Sequence, residues 1–211
     1  MMIGFYNYSV ILTYIGLISS IIGMMCTVNG HYKLAIFCLA FSGLCDMFDG
    51  KIARAMKNRT EDEKKFGIQI DSLCDVVCFG AFPVILCYCL GLKDIFGIII
   101  LAFYGTASVI RLGYFNVMEE KRQQETSEAR KYYEGLPITT MAIVLPILYL
   151  LKPCMAGYFV LILHIAMLVV GFLLILRFQL KKPGNKVLAV IVAVVALAVL
   201  KLTHIILWRN R

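Results

Sequence analysis

The chain has 211 residues and a formal net charge of +8, with 61% apolar and 16% charged residues. Soluble domains are typically about 45–50% apolar and about 25% charged, so this composition excludes an ordinary soluble protein. Apolar segments of roughly 20 residues span a membrane, and they must be helical because lipid offers no water to unpaired backbone groups. The sequence therefore predicts an all-α, polytopic helical membrane protein.

Apolar segments of membrane-spanning length recur along the whole chain. The segment 135–151 is short and Lys201 interrupts the last segment, so we expect about six to eight transmembrane helices and adopt seven. The segments are 6–28, 31–49, 67–91, 95–116, 135–151, 158–176 and 187–207.

Basic residues favour every second connection between these segments. Lysines and arginines crowd the connections after the second, fourth and sixth segments, whereas the alternate connections carry one each, at Lys33, Lys93 and Lys152. By the positive-inside rule, the basic connections and the N-terminus are cytoplasmic. Seven spans would place Arg209 and Arg211 on the opposite side, which favours a re-entrant or split last segment. We expect a multi-pass protein of the cell membrane with lipids as partners, and no nucleic acid.

Four aspartates lie where the second and third segments meet the first basic connection. Asp46 and Asp49 are three residues apart, and Asp71 and Asp75 are four apart, so each pair shares a helix face. The two segments are expected to be antiparallel neighbours, which brings the carboxylates to a similar depth. Unpaired carboxylates are costly there, and Mg²⁺ or Mn²⁺ is the simplest counter-charge. Two such ions roughly 4 Å apart would clamp a phosphoryl group, with the site facing the cytoplasm.

Small residues beside the aspartates leave room for a bulky ligand. Gly50 and Ala53 lie just after Asp49, and Gly67 lies just before the third segment. Arg54 supplies a cation suited to phosphate oxygens. The alternative is that the aspartates are merely solvated and the glycines serve helix packing, which leaves the joint pattern unexplained.

The cysteines are expected to be structural, and the histidines to be interfacial or structural. The eight cysteines form no CxxC pair, and most lie within apolar segments. Cys74 and Cys78 share a helix face without a nearby histidine, which favours packing over zinc binding. The histidines lie at or beyond the ends of the apolar segments, at His31, His164 and His204.

The aspartates belong to a longer motif. DMFDGKIAR followed by FGIQIDSLCD resembles the motif of the CDP-alcohol phosphotransferase family, D-x2-D-G-x2-A-R and then G-x3-D-x3-D. Every fixed position is present. The spacer between Arg54 and Gly67 has twelve residues, which is longer than usual, and the excess is the charged run from Glu61 to Lys65. The role of this longer spacer stays open.

The resemblance implies a reaction and a division of roles. A hydroxyl attacks the lipid-side phosphorus of a CDP-linked substrate, a phosphodiester forms and CMP is released. Two Mg²⁺ or Mn²⁺ ions and a homodimer are implied. Asp75 is implied both as a metal ligand and as the general base that takes the hydroxyl proton. The implied metal ligands are Asp46, Asp49, Asp71 and Asp75, and the implied CDP contacts are Asp49, Gly50, Ala53, Arg54 and Gly67.

Three further segments resemble the bacterial and archaeal phosphatidylserine synthase branch of this family: DSLCDVVCFGAFP (71–83), RLGYFN (111–116) and EGLPIT (134–139). This branch uses CDP-diacylglycerol and L-serine. With the core motif, the resemblance covers roughly the first 150 residues. We therefore expect residues 1–151 to form the phosphotransferase core and 152–211 to be transmembrane helices that complete the same domain.

Arg111 and Asn116 are candidate contacts for the acceptor alcohol. Arg111 lies deep within a predicted span, where a cation needs an anionic partner. That partner is the serine carboxylate, a substrate phosphate or, structurally, one of the aspartates. Asn116 either hydrogen-bonds the amino-acid head group or caps a helix.

Three alternatives remain at this point. Another acceptor, such as glycerol 3-phosphate or inositol phosphate, fits the same motif. A divalent-metal carrier or channel would also use clustered aspartates, but it needs polar residues across the bilayer, and the spans offer few beyond Arg111. A catalytically inactive lipid-binding relative would not need all four aspartates.

Overall fold

The structure, a computed structural model, describes residues 4–6, 8–56, 59–125, 132–155 and 157–181. The described part is helical, as predicted. The seventh predicted span, 187–207, lies outside the described residues. The helices are α1 (Tyr8–Val28), α2 (Tyr32–Ala55), α3 (Glu61–Asp75), α4 (Phe82–Leu90), α5 (Ile95–Glu125), α6 (Met141–Leu151) and α7 (Phe159–Ile175).

Three helical stretches are long and apolar enough to cross a membrane: Val10–Val28, Glu61–Leu90 and Ile95–Arg122. Two shorter apolar stretches, Ile138–Cys154 and Phe159–Ile175, include α6 and α7. Large apolar side chains cover the outside of α1, α5 and α7, where a soluble protein would place polar ones. The arrangement is that of a polytopic membrane protein. Helix α2 has 24 residues, about 36 Å at 1.5 Å per residue, and apart from Lys33 its charged residues lie in its last ten positions.

Helices α3 and α4 form one long rod interrupted by a π-helical segment, Val76–Ala81. The rod begins at a capping box, in which the Thr60 hydroxyl accepts the Glu63 N–H and the Glu63 carboxylate accepts the Thr60 N–H. The charged run that lengthens the spacer is therefore the first turn of α3. Pro83 lies in the first turn of α4, just after the π segment, where its missing N–H is tolerated.

The packed core lies beneath the polar end of the helices. Phe79 from the π segment, Phe82 from α4 and Tyr104 from α5 are almost completely buried. The Tyr104 hydroxyl donates to the Phe79 carbonyl, which satisfies a polar backbone group inside the π segment. Helix α1 packs along α2, and α5 packs along α7. Helix α1 also contacts α3, so α1 and this core together hold the two helices that carry the aspartates.

A short antiparallel pair of strands, β1 (Tyr132–Glu134) and β2 (Gln179–Lys181), joins the chain before α6 to the chain after α7. Gly135 follows β1 with φ +77°, and a Cβ there would come within 2.9 Å of the Leu176 carbonyl oxygen. Only glycine fits this close approach. The segment 134–139 is thereby held against the end of α7 and beside Arg111.

Candidate active site

The end of α2 and the start of the α3 rod bring the predicted carboxylates together. Asp46 and Asp49 face Asp71 across the helix pair, and each residue offers an oxygen within 4.8 Å of the others. Asp49 is only 5% exposed. Three oxygens so close repel one another unless a cation or a proton lies between them. Hard oxygen donors in this number are what Mg²⁺ and Mn²⁺ bind, so the residues fit the implied metal.

Asp75 lies one turn deeper than Asp71, at the last residue of α3. Its carboxyl adjoins that of Asp46, and both line a small cavity with Asp49. The cavity is about 10 Å³, room for about one water. Asp75 is therefore adjacent to the group of three rather than a member of it, which suits a residue that also handles a proton.

Thr13 of α1 is a site residue that the sequence analysis missed. Its Oγ1 donates to Oδ2 of Asp49 at 2.8 Å, and both side chains are buried. A signal was present in the sequence: Thr13, Ser20 and Thr27 repeat every seven residues and form a buried polar stripe on the otherwise apolar α1. A single threonine in a span gives no such indication, because its hydroxyl often bonds its own helix.

Cysteines and hydroxyls form the rest of the cavity wall. Cys45, Cys74 and Cys78 line it together with Ser42. All three cysteines are buried and free. The Ser20 hydroxyl donates to the Ser42 hydroxyl at 2.9 Å, which ties α1 to α2 behind the carboxylates. The cysteines pack there as predicted, and the described carboxylates rather than thiols are close enough together to hold a cation.

The predicted CDP contacts lie on the side of the carboxylates where the polar connection between α2 and α3 begins. Gly50 and Ala53 follow Asp49 within α2 and are partly exposed. Arg54 lies in the last turn of α2, and its side chain is outside the part that the structure describes. Gly67 lies one turn before Asp71, and a Cβ at this position would come within 2.5 Å of Nη2 of Arg59. The open space expected at Gly67 is thus filled by a guanidinium.

Arg111 is 6% exposed and lies near the middle of α5. Its Nε donates to the Leu136 carbonyl at 3.0 Å, and its guanidinium lies 5.7 Å from the Phe115 ring. It lines a second cavity of about 240 Å³, together with Tyr114 and Arg177. The structure therefore places Arg111 beside the segment 134–139 and the end of α7.

Asn116 links α5 to the carboxylate helix. Its Oδ1 accepts the Ser72 hydroxyl at 2.8 Å, and Ser72 follows Asp71 directly. The helix-capping alternative for Asn116 is wrong, because α5 continues to Glu125. The Ser72 bond fixes the amide orientation and leaves the amide nitrogen as the group that offers donors.

Asp94 and His164 form a polar contact at the opposite end of the helices. The His164 ring Nε2 lies 3.0 Å from Oδ1 of Asp94, and the Gly97 N–H donates to Oδ2. Desolvation raises the pKa of Asp94, but the hydrogen bonds from Gly97 and His164 outweigh it, so the pKa lies below its ordinary value. The contact ties the start of α5 to α7, a structural role as predicted for this histidine.

Comparisons with known proteins agree with the motif. The family model described as CDP-alcohol phosphatidyltransferase matches residues 6–170. A CDP-diacylglycerol–serine O-phosphatidyltransferase of Saccharomyces cerevisiae is 34% identical over 125 residues, which cover 58% of this chain and 44% of the relative. One of Mycobacterium leprae is 28% identical over 188 residues, covering 83% and 61%. An archaetidylserine synthase of Methanothermobacter thermautotrophicus is 29% identical over 133 residues, covering 63% and 53%. The chain spans about half the length of these curated relatives.

Proposed function

This chain belongs to the CDP-alcohol phosphatidyltransferase family, and we propose that it transfers the phosphatidyl group of CDP-diacylglycerol to L-serine. The products are phosphatidylserine and CMP. The observation that carries the proposal is the convergence of side-chain oxygens of Asp46, Asp49 and Asp71 within 4.8 Å, at the polar end of two helices that both pack on α1. The names of the relatives support serine as the acceptor.

Asp46, Asp49, Asp71 and Asp75 would hold two Mg²⁺ or Mn²⁺ ions. Bound cations would polarise the phosphate oxygens and offset the charge that develops during displacement. The protein's part is to fix the carboxylates before substrate arrives. Thr13 orients Asp49 from α1, and α1 packs on both α2 and α3, the two helices that carry the carboxylates.

Asp75 accepts the proton of the serine hydroxyl. The hydroxyl oxygen then forms a bond to the lipid-side phosphorus, and the bond from that phosphorus to the bridging oxygen breaks. The bridging oxygen leaves on CMP with the bonding electron pair. Asp75 suits this role because it adjoins the three clustered carboxylates at the deeper end of the site.

Gly50, Ala53, Arg54 and Gly67 would form the CDP pocket together with Asp49. They lie within about one helical turn of the carboxylates, on the side where the polar connection between α2 and α3 begins. The diacylglycerol tails would lie between helices whose outer faces are apolar. The basic connections support a pocket at the cytoplasmic surface of the cell membrane, by the positive-inside rule. A homodimer is part of the proposal.

Arg111 and Asn116 would bind the acceptor. The guanidinium of Arg111 is suited to the serine carboxylate, and the amide nitrogen of Asn116 offers donors beside Asp71. Ser72 fixes this amide at 2.8 Å. Arg111 also holds the Leu136 carbonyl, so acceptor binding would be coupled to the position of the segment 134–139.

A second candidate is a transfer to an acceptor that carries its own phosphate, such as glycerol 3-phosphate or inositol phosphate. One observation favours it: Arg111 and Arg177 line the same cavity of about 240 Å³. Two guanidinium groups suit a phosphate dianion better than the single negative charge of a carboxylate.

The test is CMP release by the detergent-purified full chain with CDP-diacylglycerol and Mn²⁺ or Mg²⁺. Serine, glycerol 3-phosphate and inositol phosphate are compared at equal concentration, with a chelator as the blank. Serine-dependent, chelator-sensitive release supports the proposal. Release only with a phosphorylated acceptor contradicts serine as the acceptor and supports the second candidate. Absence of release with every acceptor contradicts both.

A further inference from the structure

The spacer between the two motif helices contains an arginine, Arg59, whose side chain contacts both helices. Arg59 lies between α2 and α3, directly before the N-cap residue Thr60. Its Nη2 donates to the Glu63 carbonyl at 3.1 Å, and its Nη1 donates to the Ala53 carbonyl at 3.5 Å. The side chain therefore bridges the end of one motif helix and the start of the other.

The guanidinium of Arg59 is incompletely satisfied. Its Nε is buried and has no hydrogen-bond partner among the residues that the structure describes. Leaving a buried donor of a charged group unpaired is costly. The two bonds that Arg59 makes go to neutral backbone carbonyls, so within the described contacts its charge meets no carboxylate. A partly exposed cation with a spare buried donor is suited to an anion that enters from the water side.

Arg59 also occupies the space that Gly67 provides. A Cβ on Gly67 would lie 2.5 Å from Nη2 of Arg59, so a larger residue at position 67 would displace the guanidinium from this place. Ala53 and Gly67 each lie four residues from an aspartate of the cluster, Asp49 and Asp71. Four residues of helix rise about 6 Å. Arg59 therefore lies about one turn to the cytoplasmic side of the carboxylates.

We propose that Arg59 binds the nucleotide-side phosphate of the CDP-linked substrate. This inference rests on the proposed function and adds to it a residue outside the family motif. A diphosphate whose lipid-side phosphate lies at the carboxylates extends its other phosphate toward the cytoplasm, where the guanidinium lies. The planar fork of arginine matches two phosphate oxygens. As the bond to the lipid-side phosphorus breaks, the charge left on CMP develops beside this cation.

The rival role is structural: Arg59 would only tie the end of α2 to the start of α3. The two roles differ in what they predict for ligands with and without phosphates. A phosphate contact affects CDP but not cytidine, whereas a structural tie affects both equally or affects only stability.

The experiment measures equilibrium binding of CDP and of cytidine to the purified full chain in Mg²⁺. The variants are Arg59→Gln, Arg59→Lys and the control Lys65→Gln, which removes an exposed charge from the first turn of α3. We expect Arg59→Gln to weaken CDP binding by about ten- to a hundredfold, the loss of a charged hydrogen-bond contact. Cytidine binding should stay within about twofold, and Lys65→Gln should match the wild type for both ligands.

Equal CDP affinity in Arg59→Gln and the wild type overturns the inference, as does an equal loss for CDP and cytidine. If Arg59→Gln does not fold, Arg59→Lys decides, because it keeps the charge and loses the fork. We expect it to lose CDP affinity severalfold with cytidine unchanged, and unchanged CDP affinity overturns the inference. Failure of the proposed function would appear separately, as wild-type protein that binds CDP through Arg59 but releases no CMP with serine.

Discussion

The two polar regions of the molecule are built differently. The carboxylate site lies between α2 and α3, encloses about 10 Å³ and is formed by acids four residues or fewer apart on each helix. The arginine cavity lies between α5 and the end of α7, encloses about 240 Å³ and is formed by residues distant in sequence. The first is set by local spacing and by the packing of α2 and α3 on α1, and the second by how α5 and the end of α7 pack. In our account the first performs the transfer and the second chooses the acceptor.

The largest effect is expected for Asp75→Asn, which keeps the shape of the side chain and removes the base. CMP release should fall by about 10²- to 10⁴-fold, while CDP binding and thermal stability in detergent are largely preserved. The matched control is Asp62→Asn, an exposed acid in the first turn of α3. Near-normal turnover by Asp75→Asn would remove this residue as the base.

Thr13→Val tests whether the carboxylate site depends on support from α1. The change is nearly isosteric and removes the hydroxyl that donates to Asp49. Loss of such a supporting bond typically costs about 10- to 100-fold in metal affinity or activity. The Mn²⁺ concentration for half-maximal CMP release should rise accordingly. Thr106→Val is the control, because Thr106 is exposed and bonds its own helix at Ala102. An unchanged Mn²⁺ requirement in Thr13→Val would contradict the positioning role.

Arg111→Gln tests whether the Arg111 cavity binds the acceptor while the carboxylate site performs the transfer. If Arg111 binds the acceptor, the KM for serine should rise about tenfold, the cost of one charged hydrogen bond, while CDP affinity stays near the wild-type value. Arg122→Gln removes a charge from the same helix near its end, where Arg122 pairs with Glu119, and serves as the control. A variant with an unchanged serine KM, or with equal losses for serine and CDP, would break the proposed separation.

The smallest effect is expected at the Asp94–His164 contact, remote from both regions. The pKa of Asp94 is lowered in the folded protein, so its contribution to stability is present above the unfolded pKa, about 3.9. That contribution is lost as the pH falls through the folded value. The melting temperature of the wild type should therefore fall more steeply than that of Asp94→Asn below about pH 4. Parallel curves for the two proteins would show that the contact adds no pH-dependent stability.

Local patterns were sufficient for the carboxylate site. The spacing of Asp46, Asp49 and Asp71 predicted a shared face and depth, and the structure brings these residues within 4.8 Å. The predicted spans were also close to the helices, except that α6 begins at Met141 rather than at residue 135, after a 3₁₀ turn at Ile138–Thr140. Other helices extend beyond the predicted spans. Helix α3 begins at Glu61 and α5 ends at Glu125, because capping and charged turns extend helices beyond the apolar core into water. Hydropathy alone cannot register such extensions.

Contacts between distant segments could not be predicted from the sequence. The seven-residue pattern marks Thr13 as buried, but it does not indicate that its partner is Asp49, 36 residues away. No local pattern indicates that Arg111 donates to the Leu136 carbonyl. The space at Gly67 was predicted to admit substrate, yet Arg59 occupies it, because a flexible side chain fills whatever cavity a glycine leaves. The sequence left two roles open for Asn116, an acceptor contact or a helix cap. The structure excludes the helix cap, because α5 continues to Glu125.

The most direct test of the central claim is incorporation of labelled L-serine into lipid by the purified full chain with CDP-diacylglycerol. We expect labelled phosphatidylserine in an amount equal to that of the CMP released. Its formation should depend on Mg²⁺ or Mn²⁺ and should be abolished in Asp75→Asn. Metal-dependent CMP release without label in the lipid would contradict serine as the acceptor. Labelled phosphatidylserine formed equally well by Asp75→Asn would contradict the mechanism.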